Sequence, residues 1–249
     1  MITPEFPNPT GPGMGIANTL ENPAGDILLL DSAFMEPRSA ASAGSADVDA
    51  PDMTAVMFMS PKVVTLVGDG WFYVQSLERI GGLKVIGAKE GLNAGMHVLL
   101  QGTMGTQGPE RVLLMTSCEI LTTPIVGDPS SAILPLGMPN RTVGGAGTGY
   151  VPGFAGMAGL RNSAQLIRTW GKVTDIGGGF FYIDDGSSSR DGTQYTGLRV
   201  ILPSGVNPPA KDAYIAITGI SSWFVSGGYG FPAVLLGSGD DVTVIKPGT

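Results

Sequence analysis

The chain writes one pattern twice, and that repeat limits its fold more than any other feature. SPKVVTLVGDGWFYVQ at residues 60–75 returns as WGKVTDIGGGFFYIDD at 170–185. GGLKVI at 81–86 returns as TGLRVI at 196–201, and AGMHVLLQGTMG at 94–105 returns as KDAYIAITGISS at 211–222. ERVLLMTSCEIL at 110–121 matches GFPAVLLGSGDD at 230–241 more loosely. The order holds and the spacings differ by only a few residues, so the chain reads as a tandem repeat.

Each copy shows five short strands. The first ends in a glycine turn and an aromatic strand follows. The third carries Gly-Leu-Lys/Arg-Val, the fourth has a glycine at its end, and the fifth is apolar. With 39 Gly and 19 Pro, and with helix formers scarce, the composition also points to β-structure with many turns. Five strands in so short a block suit a small closed barrel of the OB type, because closure removes exposed edges. Gly102 and Gly219 fall where a strand must bend to turn a barrel corner. The expected fold is all-β: two tandem OB-like five-stranded barrels with an extended, Pro/Gly-rich N-terminal arm. The expected divisions are an arm or linker at 1–53, a barrel at 54–122, a Gly/Pro-rich connector at 123–163 and a second barrel at 164–249.

The arm differs from the rest. Pro4, Pro7, Pro9, Pro12, Pro23, Pro37 and Pro51 break regular elements, and SAASAGSADVDAPD at 39–52 has a linker composition. One apolar run, Ile27, Leu28, Leu29 and Leu30, stands in DILLLDS at 26–32. Burying each of these side chains contributes about 1.5–3 kcal/mol. Nothing else in the arm can pair with the run. It is expected to be an assembly arm that adds as a strand to another copy; the alternative is that it folds back onto its own barrels.

LIRTWGKVTDIGGGFFYIDDGSSSRDGTQYTGLRV resembles OB-fold modules found near the C-termini of large exported or surface proteins of environmental bacteria. PLGMPNRTVGGAG, with its Pro/Gly connector, resembles the joint between two such modules. FFYIDDGSSS is also similar to the strand and turn of single-strand-DNA-binding OB proteins of the replication-protein-A type. The resemblance spans roughly residues 54–246 and implies module type, with no assigned activity.

Candidate sites are few. DDGSSSRDG places Asp184, Asp185 and Asp191 around a Gly/Ser loop, so these three are the calcium candidates. The loop lacks the alternating acids and closing Glu of an EF-hand, and a polar hairpin loop is the simpler reading. GGAGTG at 144–149 is followed by YVPGFAGMAG, which cannot form the helix that a dinucleotide fingerprint needs. His97 is the only histidine and lies in a strand; Cys118 is the only cysteine and reads as a small core residue. Disulfides within the chain and multi-thiolate zinc sites are thereby excluded. Asn140 opens an N-glycosylation sequon, Asn-Arg-Thr. Trp71, Phe72, Tyr73, Trp170, Phe180, Phe181, Tyr182, Trp223 and Phe224 supply rings that either fill cores or form a ligand platform.

The net charge is −7 and the pI is near 4.6, against the basic face that nucleic-acid binders need. No nucleic-acid partner is expected, and carbohydrate suits an acidic aromatic surface better. No acid, base and nucleophile converge in the sequence, so neither an enzyme nor a cofactor is expected. No run approaches the ~18 apolar residues of a membrane span. MITPEFPNPTGPG has no basic region and no apolar core, so it is not a signal peptide. The chain is then cytosolic, or a mature or excised piece of an exported precursor. Few Lys, one Cys and much Gly, Thr and Ser favour an extracellular or cell-surface protein. The expected role is non-catalytic and structural: a subunit of a filament or fibre that partners itself. The alternative is an OB-fold module for oligosaccharide or single-stranded nucleic acid.

Overall fold

The computed structural model describes residues 27–29, 50–77, 79, 81–122, 133–147, 153–154, 157 and 159–248. Among these the chain is all-β, with 3-10 turns at Asn140–Thr142 and Gly239–Asp241 and no α-helix. No helix among the described residues is long and apolar enough to cross a membrane.

The first sheet contains β1 (Ile27–Leu29), β2 (Ala55–Phe58), β3 (Lys62–Val67), β4 (Trp71–Gln75), β5 (Gly82–Ile86), β6 (His97–Gln107) and β7 (Glu110–Leu121). Five of these close a barrel. The path β3–β4–β5–β7–β6 returns to β3, and every pairing is antiparallel except β5–β7. The second sheet contains β8 (Leu136–Gly137), β9 (Leu166–Gly177), β10 (Phe180–Asp184), β11 (Leu198–Ile201), β12 (Tyr214–Ser226), β13 (Tyr229–Leu235) and β14 (Val242–Lys246). Its path β9–β10–β11–β13–β12 returns to β9 in the same order, again with one parallel pair, β11–β13.

Each sheet wraps its own core. Phe58, Phe72, Val85, Leu100, Met104 and Leu113 lead one; Ile167, Phe181, Ile183, Val200, Ile215 and Val234 lead the other. Cys118 is a core residue of the first. Backbone crowds both of the glycines expected at strand bends. A Cβ on Gly102 would lie 2.4 Å from the Leu114 carbonyl oxygen, and one on Gly219 would lie 2.6 Å from that of Leu235. In both sheets, neighbouring backbone occupies the space of a side chain.

The structure corrects the sequence match by one residue at both ends. Val63, not Lys62, faces the fourth strand where Lys172 does, because Val63 pairs with His97 and Lys172 with Tyr214. Val112 corresponds to Ala233, since they pair with the equivalent Lys84 and Arg199. Interruptions also swap places. β9 runs unbroken where Pro61, which has no N–H to donate, separates β2 from β3. β7 runs unbroken where the Gly239–Asp241 turn separates β13 from β14.

Pro61 thus creates β2, a strand not recognised in the sequence, and its edge accepts β1 from the same chain. Ile27, Leu28 and Leu29 pair with Phe58, Met57 and Val56. The run therefore has a partner without a second copy. Leu30 lies outside the described residues. At the start of the first barrel, the buried Arg111 guanidinium holds the incoming chain through Asp52 and the Ala50 carbonyl. Burial pushes the Asp52 carboxyl up, but the hydrogen bonds from Arg111 and Thr106 outweigh it and hold the carboxyl below its ordinary range.

Candidate functional site

Alternation along the repeated aromatic strand sets the site. In β4, Phe72 and Val74 point into the core, so Trp71, Tyr73 and Gln75 point outward. In β10, Phe181 and Ile183 are the core residues, leaving Phe180 and Tyr182 outside. The two outward faces meet different fates.

The face of the first barrel is covered by the second sheet. The Tyr73 hydroxyl lies 3.1 Å from both carboxylate oxygens of Glu110 and 3.1 Å from Ser222 Oγ. Trp223 Nε1 donates to Glu110 Oε2 at 3.1 Å. Apolar side chains surround this group: Leu66 and Trp71 from one side, Leu166, Ile220 and Leu235 from the other. Leu166 N–H donates to Gln75 Oε1 at 2.8 Å, and Gln165 Nε2 donates to the Arg79 carbonyl at 3.2 Å. Close approach needs glycine at Gly82, where a Cβ would lie 2.2 Å from the Ala164 carbonyl oxygen. Gly108 similarly leaves room for the Trp223 ring.

Glu110 has no exposed surface. Burial pushes its carboxyl up, against the opposing Lys84 charge and the hydrogen bonds from Ser222, Tyr73 and Trp223. Burial, and then the Glu110 charge, also push the Tyr73 hydroxyl up, so it stays a neutral donor. A raised carboxyl gives its full stabilisation below the unfolded value of about 4.3 and loses it as pH rises through the folded value. Glu110→Gln removes that loss. Its melting temperature is expected to gain on the wild type as pH rises from below about 4 towards neutrality. Parallel melting profiles across that range would contradict the assignment.

The equivalent face of the second sheet is open to solvent at its rim. The Arg199 guanidinium lies between two rings, 3.9 Å from the Phe224 centroid and 4.1 Å from that of Phe180. Its Nε donates to the Tyr182 hydroxyl at 2.8 Å, and that hydroxyl donates to Asp191 Oδ2 at 2.6 Å. Burial, followed by the Asp191 hydrogen bond, pushes the Tyr182 hydroxyl to about 12. Tyr195, from the loop after β10, stacks on Tyr182 at 4.9 Å.

The calcium candidates do not converge. Asp184 Oδ1 accepts from the N–H groups of Gly186 and Ser188. Asp185 accepts from the N–H groups of Ser187 and Asn140. Asp191 is taken by Tyr182 and Thr193. Among the described residues no three His, Cys, Asp or Glu side chains form a group that could hold a metal ion. The sequon reading of Asn140 is corrected. Asn140 is buried, its Nδ2 donates to the Ile183 carbonyl at 3.0 Å and its Oδ1 accepts from Thr169 at 2.7 Å. A glycan on that nitrogen is incompatible with this packing.

His97 is buried, with no hydrogen-bond partner for Nε2 among the described residues. Gly144 and Gly145 pack against the Phe154 ring and the Leu160 carbonyl as part of the connector. Trp170 lies half exposed on the outer face of β9. A cleft of about 330 Å³ opens along the junction between Leu66, Asn93, Thr218 and Asp241, whose carboxylate is occupied by two backbone N–H groups. Glu110, Ser222 and Arg199 were missed by sequence reasoning. Only the repeated Lys84 and Arg199 after Gly-Leu carried a readable signal. No family model, curated protein or solved structure matches this chain.

Proposed function

We propose that the chain is a non-catalytic structural protein, a subunit of an extracellular or cell-surface filament or fibre, and that its two sheets are tandem OB-like barrels. The shared strand path with its single parallel pair supports the OB-like reading of both sheets. One observation carries the function. OB modules offer ligands the face built on their second and third strands. In the first barrel that face, through Tyr73 and Glu110, instead holds Ser222 and Trp223 of the neighbouring unit. A surface that serves recognition elsewhere here serves to join blocks.

The arm adds a second means of joining. The β1–β2 pairing occurs within one chain, and the same pairing made with a neighbour's β2 would link copies. The oligosaccharide or nucleic-acid reading draws support from the aromatic face around Arg199. There the guanidinium already fills the gap between Phe180 and Phe224, so a base or sugar must displace it. The net charge of −7 weighs further against nucleic acid.

Sedimentation of the full chain, and of a chain lacking residues 1–49, tests this reading. The full chain is expected to associate as its concentration rises. The shortened chain is expected to keep both sheets and to associate more weakly. A full chain that stays single at every concentration would overturn the proposal.

A further inference from the structure

Both halves of the internal junction occur twice among the described residues, and one copy of each lies outside that junction. In the inserting half, Ala164 adopts a left-handed φ of 63° and donates to the Ser221 carbonyl, while Ser221 N–H donates to Gln165. Met53 repeats this on the first barrel. Its φ is 66°, it donates to the Met104 carbonyl, and Met104 N–H donates to Thr54. Met104 stands two residues past Gly102 as Ser221 stands two past Gly219. A left-handed φ at a non-glycine residue is uncommon, so its recurrence marks one local structure built twice.

The two copies differ in cover. Ala164 has 0% exposure, packed over Gly82, whereas Met53 is 80% exposed. Leu235 is partly buried in the junction, whereas its counterpart Leu114 is 45% exposed. On the receiving half, Trp71, Tyr73 and Lys84 are matched by Phe180, Tyr182 and Arg199. The loop bearing Tyr195 covers Tyr182. What stays open is the rim around Phe180 and Phe224, where Val225 is 62% exposed and Ile176 and Tyr229 are also exposed.

We propose that copies join head to tail by repeating the internal junction: the Met53–Leu114 surface of one copy seats on the Phe180–Arg199–Phe224 face of the next. The inference rests on the assembly reading above and names its contact. Such a contact is heterologous and does not use itself up, so it propagates unless the rotation closes a ring. Thr106 stands where Trp223 stands and is hydrogen bonded to Asp52. The contact between copies therefore lacks the indole anchor and is weaker than the one within a chain.

Two full-length variants test it by sedimentation. Met53→Asp blocks the head and Val225→Asp blocks the tail; both side chains are exposed, so both folds should survive. Each alone is expected to weaken association by ~10- to 100-fold, from loss of one buried apolar side chain. Mixed in equal amounts they are expected to form a two-chain species, since each retains the half that the other lacks. Leu114→Glu and Tyr229→Asp repeat the test if either first variant misfolds. Variants that associate like the wild type would overturn this junction while leaving assembly intact. Monomeric variants that stay monomeric when mixed would also overturn it, because their free halves do not fit each other. A wild type that never associates would overturn assembly and junction together.

Discussion

Gly102→Ala is expected to destabilise the first barrel by about 3 kcal/mol, at the upper end of typical core overpacking. The new Cβ would meet the Leu114 carbonyl oxygen at 2.4 Å and Leu113 Cγ at 2.8 Å. The carbonyl belongs to a paired strand, so relief requires moving backbone and not a side-chain tip. For a chain of this size the melting temperature should fall by roughly 6–12 °C. Gly178→Ala supplies the control, because no atom lies within 4 Å of its Cβ and its φ is ordinary. Thermal denaturation of the two variants decides the matter: equal melting temperatures would remove the corner role from Gly102.

Gly82→Ala should act on a different level, between the sheets and not within one. Its Cβ would lie 2.2 Å from the carbonyl oxygen and 2.4 Å from the carbonyl carbon of Ala164. Both sheets can keep their cores if they separate. Separation would break the contacts of Ser222 and Trp223 with Tyr73 and Glu110, and would open the Leu66–Trp71–Leu166–Ile220 cluster. The expected cost is about 1–3 kcal/mol of docking energy. Calorimetry should show the transitions of the two sheets moving apart, and small-angle scattering should show a larger radius of gyration. An unchanged radius with a single unchanged transition would mean that Gly82 does not govern the junction.

The repeat, the all-β class and the need for glycine at Gly102 and Gly219 were legible because each depends on local chemistry. Alternation of Phe72 with Trp71 and Tyr73 follows from the strand itself, and the bend at Gly102 follows from the absence of a side chain. Register was not legible. Thr65 and Thr174 form the same bulge opposite the aromatic strand, and the two first strands align bulge to bulge only when their sequence match slips by one. A slip of one exchanges the two faces of a strand. It accounts for Lys62 being buried while Lys172 pairs with Asp212 at 2.7 Å on the surface. β2 was hidden because Pro61 divides a strand that its counterpart β9 leaves whole. The junction escaped because Glu110 reads as an ordinary surface charge until Tyr73 and Trp223, 37 and 113 residues away, converge on it.

Asp184, Asp185 and Asp191 teach the complementary lesson. Their spacing allows either a cation loop or a polar hairpin loop, and the carboxylates follow the second, accepting from backbone N–H groups. Burial, then the Ser187 and Asn140 hydrogen bonds that outweigh it, leave the Asp185 carboxyl below its ordinary range.

The most direct test of the structural role is electron microscopy of the purified full-length protein at rising concentration. The expected image is a fibre whose axial repeat holds the two sheets of one chain, lengthening as concentration increases. A field of separate single-chain particles at every concentration would contradict it.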